Sequence, residues 1–194
     1  MNEALTPVIL VVSYLLGSIP SGILLGKGIK GKDPRSAGSG NIGFTNVLRV
    51  AGVLPAVLTL LGDVGKGVLA VYLGKFFNPE LAVYAGLFAI LGHCYPIFLR
   101  FHGGKAVATS FGVLAVLYPG VGAITFSVWV VVVLIWRYIS LGSLLAFGCL
   151  PITMLLLYPG RESILFSVAT TMLVYLRHRE NISRLVLKKE GKIF

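Results

Sequence analysis

Four stretches of the 194-residue chain carry polar side chains in spacings suited to work on a phosphate. The first, "RSAGSGNIGFTNVLR" at residues 35–49, sets Gly38, Gly40 and Gly43 in a G-x-G-x-x-G spacing with Asp63 about 20 residues further on, the outline of a dinucleotide fingerprint. That fingerprint needs a buried parallel strand directly before its first glycine. Here the preceding residues, "GKGIKGKDPRSA", are polar, basic and interrupted by Pro34, which excludes it. The glycines suit an anion nest instead, in which successive backbone N–H groups turn inward, with Ser39, Gly40 and Asn41 at its centre. If "NIGFTNVLR" is the helix that follows, Asn41, Thr45 and Arg49 lie one turn apart on one face with Asn46 beside them. A helix N-terminus completed by a guanidinium holds a phosphate well. A flexible Gly/Ser loop leading into an interfacial helix is the plainer alternative.

The second stretch, "GHCYPIFLRFHGGKAVAT" at residues 92–109, offers Gly103, Gly104 and Lys105 at the head of an apolar run, a second anion cradle of free N–H groups and an ammonium. A P-loop would need Ser or Thr after the lysine, and Ala106 stands there. Snorkelling at a helix end is the alternative for Lys105, and packed or interfacial roles are the plainer reading of His93 and His102. In the third stretch, "GDVGKG", Asp63 and Lys66 are spaced to share a helical face and neutralise one another inside a span, where ionisable groups normally face a cavity or a partner. A helix running unbroken from Val50 would carry Lys66 roughly 24 Å along its axis, so either the helix starts later, near Pro55, or the pair is structural. The fourth stretch, "RHRENISRL" at residues 177–185, lets His178, Asn181 and Arg184 share a face, while Arg179, Lys188 and Lys189 read as a solvated basic tail.

Covalent catalysis finds no support. There is no G-x-S-x-G elbow, no H-E-x-x-H and no evident Ser or Cys nucleophile paired with a base. The H-x-x-x-x-D box of acyl-CoA-dependent glycerolipid acyltransferases is absent too, since Phe98, Val107 and Ser183 stand five residues after the three histidines. No metal and no cofactor is expected. The residues suit transfer between substrates that already carry phosphate and an activated group, through positioning and charge stabilisation.

The elements that must hold these residues are apolar helices. The chain is 56% hydrophobic and 12% charged, with a mean hydropathy of +0.90, far from the roughly 25% charged average of soluble domains. Segments long enough to approach the roughly 30 Å of hydrocarbon run at about Ala4 to Leu25, Val50 to Leu73, Leu81 to Leu99, Ala106 to Tyr118, Val121 to Trp136, Leu141 to Tyr158 and Ser163 to Leu176. The expected fold is all-α, a polytopic membrane protein of about seven spans, with five or six as alternatives because the fourth and seventh segments are short. With the N-terminus outside and the C-terminus cytoplasmic, every one of the 17 lysines and arginines except Lys66, Lys75 and Arg161 falls on the cytoplasmic side. The net charge of +10 is then a property of one membrane face, suited to lipid headgroups rather than nucleic acid. Basic residues follow the first apolar run instead of preceding it, so it reads as a retained helix rather than a signal peptide. Cys94 and Cys149 lie in apolar surroundings and suggest neither a disulfide framework nor a metal site. Without an internal repeat or a linker segment, residues 1–194 read as a single transmembrane domain.

"GSGNIGFTNVLR", "GDVGKG", "LGHCYPIFLRFHGGKAVAT" and "RHRENISRL" together resemble the bacterial acyl-phosphate:glycerol-3-phosphate acyltransferases of the PlsY type, and the resemblance runs from "GSIPSG" at residues 17–22 to the C-terminal tail. It implies an inner-membrane enzyme that moves a fatty acyl group from acyl-phosphate to the 1-hydroxyl of glycerol 3-phosphate, giving lysophosphatidic acid and phosphate without acyl-CoA. Carried onto this chain, it sets Ser39, Asn41, Arg49 and the Gly103-Gly104-Lys105 loop around substrate phosphates, with His178 and Asn181 completing the site and Ser143 of "SLGS" as a lesser candidate. Gly40 and Asn46 are grouped with the phosphate-binding residues, and Asp63, Lys66 and His93 form a secondary set. Phe44 stands where the family usually has a small alanine and is expected to narrow the site. Ala106, in the place of a usual glycine, is expected to stiffen its loop. The competing class, a transporter or flippase for an organic phosphate, calls for a midplane site and often for repeat symmetry, neither of which the sequence offers.

Overall fold

The computed structural model describes residues 5–193; Ala4, the first residue of the first expected span, lies outside them. The described chain is helical, and its helices fall into two compact units, one ending at Val113 and the other beginning at Leu114. The first unit opens with α1 (Leu5–Ser18) and α2 (Ser21–Lys30). They are separated at Ile19 and Pro20 because proline has no N–H for the helical ladder and its ring turns the preceding residue away from helical geometry. Within α1 the Ser13 and Ser18 hydroxyls donate back to the carbonyls of Ile9 (2.8 Å) and Tyr14 (2.9 Å), which satisfies them without water. Then come α3 (Phe44–Ala51), α4 (Val53–Phe77), α5 (Leu81–Cys94) and α6 (Val107–Leu117), the last of which crosses the boundary between the units.

Helix α5 packs against both α1 and α4, and α2 and α3 lie against α4. At the α1–α5 contact the backbones nearly touch: a Cβ on Gly17 would strike the Ala89 carbonyl, and one on Gly92 would strike the Tyr14 carbonyl. Small residues permit this closeness, and closeness supplies the dispersion contact that drives helix association where lipid removes the hydrophobic term.

The second unit contains α7 (Pro119–Trp136), α8 (Ile139–Leu157), α9 (Arg161–Arg177) and α10 (Arg179–Val186), with α8 packed on both α7 and α9 and α10 against α8 and α9. Pro151 lies inside α8 and removes the N–H that would have bonded the carbonyl of Phe147. The Thr171 hydroxyl of α9 donates to that carbonyl at 2.8 Å. Satisfying such a group from a neighbouring helix is what an apolar surrounding demands.

Each of the seven expected apolar segments falls on helix, with boundaries that differ from expectation. Among the described residues five stretches are long and apolar enough to cross a membrane, the lowest of the expected counts: Leu5–Lys30, Val53–Phe77, Leu81–Leu99, Pro119–Trp136 and Ile139–Leu157. Helix α6, with 11 residues, rises only about 16 Å, roughly half the hydrocarbon core. Helix α9 has 17 residues and buries Ser163, Ser167 and Thr170. The second expected span is also cut at Gly52, whose φ of +90° separates α3 from α4. Arg49 therefore belongs to a short helix of its own, and Lys66 lies about 20 Å from the start of α4. Outward-facing Leu60, Leu61, Leu69, Ile152, Leu155 and Leu156 present the apolar surface that lipid covers.

Candidate phosphate-binding and active-site residues

The glycine-rich stretch between α2 and α3 is a loop tied down from within. Asp33 begins it, accepting hydrogen bonds from the backbone N–H of Arg35 (3.0 Å) and the Arg35 guanidinium (2.7 Å) and an ion pair from Lys27 (3.0 Å). The Arg35 hydrogen bond, followed by those of its backbone and of Lys27, outweighs partial burial and holds the Asp33 carboxyl well below the usual carboxylate range. Arg35 of the loop and Lys27 of α2 thus share one acid that the sequence reading passed over. Gly38 and Gly40 follow with φ of +63° and +69°, left-handed values that a side chain resists, and a Cβ on Gly38 would land on the amide oxygen of Asn46.

Asn46 organises this loop. Only 1% exposed, it donates from Nδ2 to the carbonyls of Pro34 (2.6 Å), Asn41 (2.9 Å) and Ala37 (3.2 Å), and its Oδ1 accepts the backbone N–H of Ser39 (2.8 Å). Its amide is therefore committed to the loop itself. Helix α3 starts only at Phe44, so Asn41 is not one turn below Thr45 as its spacing suggested. It lies in the loop, where its Oδ1 accepts the N–H of Gly43 at 2.9 Å. Phe44, with Leu48, packs on the buried cluster of Val47, Ala51 and Ala56.

What the loop leaves outward is Ser39, Gly40 and Arg49, all exposed. Two hollows border the Arg49 guanidinium. One, about 530 Å³, is lined by Lys30, Lys32 and the first residues of α4; the other, about 480 Å³, is lined by Lys32, Ser36 and Gly38 among others. Arg49 makes no hydrogen bond or ion pair among the described residues.

The second cradle follows α5. After a short turn at Ile97–Leu99, Arg100 and Phe101 take left-handed φ of 51° and 63°, and the chain reaches Gly103, Gly104 and Lys105 before α6. The Tyr14 hydroxyl fastens the start of this loop by donating to the Tyr95 carbonyl (2.6 Å). Gly104 donates its N–H to the His93 carbonyl (3.0 Å), and a Cβ on it would collide with Nε2 of the His93 ring. Gly103 is pressed against the His93 carbonyl and the Pro96 ring. Ala106, 1% exposed, sits at φ +57°, a left-handed residue on the order of 1 kcal/mol less comfortable than glycine.

Beneath this loop lie the secondary candidates. Lys66 Nζ contacts Asp63 Oδ1 at 2.9 Å and donates to the carbonyl of Ile19 at the α1–α2 break (3.0 Å). His93 Nδ1 lies 3.6 Å from Asp63 Oδ1 and 3.3 Å from the Thr109 hydroxyl. Asp63, Lys66 and His93 are at most 5% exposed, so the three meet inside the unit rather than at its surface.

The second unit carries its own polar cluster. His178 joins α9 to α10, and its Nδ1 lies 2.7 Å from the Val174 carbonyl. A carbonyl only accepts, so Nδ1 bears a proton. Asn181 Nδ2 donates to Glu190 Oε1 (2.6 Å), which also accepts from the Ser140 hydroxyl (2.6 Å), while Arg184 Nε donates to Glu190 Oε2 (2.7 Å). Burial alone would raise the Glu190 carboxyl, but the donors Ser140, Arg184 and Asn181 hold it below its ordinary value. The Ile193 N–H returns to the Arg137 carbonyl (2.9 Å), so this tail folds back instead of trailing into solvent. Glu190 was missed in the sequence, where a lone acid in "KKEGKIF" was its one signal. Ser143 Oγ donates to the Ile139 carbonyl (3.0 Å) and accepts from Trp129 Nε1 (3.3 Å). No group of His, Cys, Asp and Glu among the described residues is arranged to hold a metal ion.

Fold and sequence together define an all-helical integral membrane protein with basic, glycine-rich loops at its helix ends. Residues 7–188 match the model of the family described as Glycerol-3-phosphate acyltransferase, and the chain belongs to that family. Among its relatives, the glycerol-3-phosphate acyltransferase of Carboxydothermus hydrogenoformans is 45% identical over 94% of each chain. That of Mesorhizobium japonicum is 47% identical over 95% of this chain and 94% of its own. The crystal structure of PlsY, an integral membrane glycerol 3-phosphate acyltransferase, in its glycerol 3-phosphate form superposes with a TM-score of 0.91 at 35% identity, covering 97% of this chain and 96% of that one. The form with lysophosphatidic acid gives 0.87 at 33% identity, covering 97% and 95%.

Proposed function

We propose that this chain transfers a fatty acyl group from acyl-phosphate to the 1-hydroxyl of glycerol 3-phosphate, releasing lysophosphatidic acid and inorganic phosphate. The observation that carries this reading is the similarity along 97% of the chain to a PlsY structure in its glycerol 3-phosphate form, joined to an exposed Arg49 that lines two hollows together with Lys32. Both substrates bring a phosphate, and the chain offers two cradles for one. Ser39, Gly40, Asn41 and Arg49 supply the first; Gly103, Gly104 and Lys105 supply the second. Asn46 acts behind the first by holding its loop in shape.

The chemistry needs no covalent enzyme intermediate. Acyl-phosphate is a mixed anhydride, so the glycerol hydroxyl oxygen attacks the acyl carbon, the bond from that carbon to the phosphate oxygen breaks, and the phosphate departs with both electrons. The hydroxyl proton has two candidate acceptors, the departing phosphate and the His178 imidazole. Lys105 and Arg49 stabilise the charge that moves onto the leaving phosphate, since the N–H groups of Ser39, Gly40, Gly43 and Gly104 are already bonded within their loops, and Asn181 and Ser143 serve the same reaction. The excess of lysine and arginine on one set of loops argues for a bacterial inner-membrane enzyme with its N-terminus outside, its C-terminus in the cytoplasm and its cradles facing the cytoplasm. One family model runs through both structural units, which supports a single acyltransferase domain.

The test is product formation by purified protein in lipid with palmitoyl-phosphate and glycerol 3-phosphate, with palmitoyl-CoA in a parallel reaction. Lysophosphatidic acid that requires both phosphate substrates and is not formed from palmitoyl-CoA is the expected result. Turnover with the thioester alone would overturn the donor assignment, and a trapped acyl-enzyme would overturn direct attack.

A further inference from the structure

A membrane protein that buries an aspartate and a lysine inside a helix bears a desolvation cost that apolar residues of the same size would avoid. Asp63 and Lys66 are such a pair, and their contacts do not stop with each other. Lys66 reaches across to the Ile19 carbonyl (3.0 Å), Asp63 lies 3.6 Å from Nδ1 of His93, and the Thr109 hydroxyl lies 3.3 Å from the same nitrogen. The far edge of that ring meets the Gly103–Gly104–Lys105 loop. Nε2, Cδ2 and Cε1 of His93 all lie where a Cβ on Gly104 would need to be, and the His93 carbonyl accepts the Gly104 N–H at 3.0 Å. Packing alone would be served by a leucine or a phenylalanine. A ring whose one nitrogen faces an aspartate and a threonine while its other edge abuts a glycine is held in a single orientation.

We propose that His93 is a positioning residue: its imidazole, oriented by Asp63 and Thr109, is the seat of the Gly103–Gly104–Lys105 loop and sets where the Lys105 ammonium of that loop meets a substrate phosphate. The inference rests on the acyltransferase reading of that loop. It explains why Gly104 has no side chain and gives the buried Asp63–Lys66 pair a task in the reaction without contact to substrate. Because a charge-assisted contact to phosphate weakens steeply when its donor is displaced, loosening the seat costs on the order of tenfold or more in the affinity for the phosphate that the loop holds.

The experiment compares wild type with His93→Asn, Gly104→Ala and the double variant. Asn keeps a polar atom near the position of Nδ1 and vacates the space beneath Gly104. His93→Asn is expected to raise the KM of one phosphate substrate by about tenfold with the other KM unchanged and kcat within about threefold. Gly104→Ala alone is expected to be worse, because its methyl meets the ring. In the double variant the vacated space admits that methyl, so the combined loss is smaller than the product of the single losses. Wild-type KM values in His93→Asn, an equal loss for both substrates, or multiplicative losses in the double variant would each overturn the proposal. Thr109→Val, which removes one hydroxyl at nearly constant volume, covers the case of a His93 variant that does not fold; it is expected to raise the same KM by about threefold, and an unchanged KM overturns the proposal. All variants are also titrated with inorganic phosphate. A wild type that binds phosphate but makes no product would refute the reaction, and the coupling between His93 and Gly104 would then be read from the phosphate Kd by the same criteria.

Discussion

Replacing Asn46 tests whether one buried amide holds the first cradle together. Asn46→Ala removes the donor to the carbonyls of Pro34, Asn41 and Ala37 and the acceptor for the Ser39 N–H. Two N–H groups serve three carbonyls, so the 3.2 Å contact to Ala37 is shared and about three independent bonds are lost. At about 0.5–1.5 kcal/mol each, the cost is about 3 kcal/mol. For a chain of this size, at about 2–4 °C per kcal/mol, the Tm falls by about 6–12 °C. Asn46→Asp keeps the shape and the Ser39 contact but aims an oxygen at three carbonyl oxygens, and at neutral pH it is the worse variant by about 1–2 kcal/mol.

The pH dependence of the aspartate variant has a definite sign. The introduced carboxyl, buried among carbonyls, has its native pKa raised above the unfolded value of about 3.9. The native state then binds more protons than the unfolded state, so the variant's stability is greatest near pH 4 and declines as pH rises through the native pKa. Thermal unfolding in detergent between pH 4 and pH 8 measures both effects. A Tm for Asn46→Ala within about 2 °C of wild type, or an aspartate variant that matches the alanine variant at pH 8 with a flat profile, would refute the account of the loop.

Arg49→Ala leaves the fold intact, because Arg49 is exposed and makes no described hydrogen bond or ion pair; KM for a phosphate substrate is expected to rise about tenfold to a hundredfold, the loss of one charge-assisted contact, with an unchanged Tm. Thr171→Val strands the Phe147 carbonyl opposite Pro151 and costs about 1–3 kcal/mol. Adding Pro151→Ala restores an N–H to the ladder, so unfolding measurements on the double variant are expected to recover most of the loss. Glu190 has a carboxyl held below its ordinary value, so its contribution to stability is present above the unfolded pKa of about 4.3 and lost as pH falls through the lower native pKa. Tm profiles for wild type and Glu190→Gln are therefore expected to converge at acid pH and to separate above about pH 5.

The apolar segments were legible in the sequence because what makes a stretch of chain enter a bilayer, its own length and hydrophobicity, is local. So was the family, since its motifs are contiguous runs. Boundaries were less legible. Val50 and Ala51 read as the start of a span, but Gly52 at φ +90° ends one helix and lets another begin at Val53, a decision made by a single backbone torsion. Local spacing likewise put Asn41 on the face of Thr45 and Arg49, and the helix starts after it.

What tertiary structure alone decided is where each polar group turns. Asn46 stands one turn from Val50 and three residues from Arg49, and nothing in its type says that its amide points back to close the loop while Arg49 stays outside. Asp63, His93 and Gly104 are far apart in the chain, and only the packing of α4 on α5 carries the carboxylate to the ring and the ring to the glycine. Thr171 meets the Phe147 carbonyl because α9 lies on α8, and Glu190 reaches Asn181 and Ser140 because the tail doubles back. The physical reason is common to all of these. A hydrogen-bonding group buried away from water must find a partner, the sequence states which groups carry that requirement, and only the folded chain determines which partner is within reach.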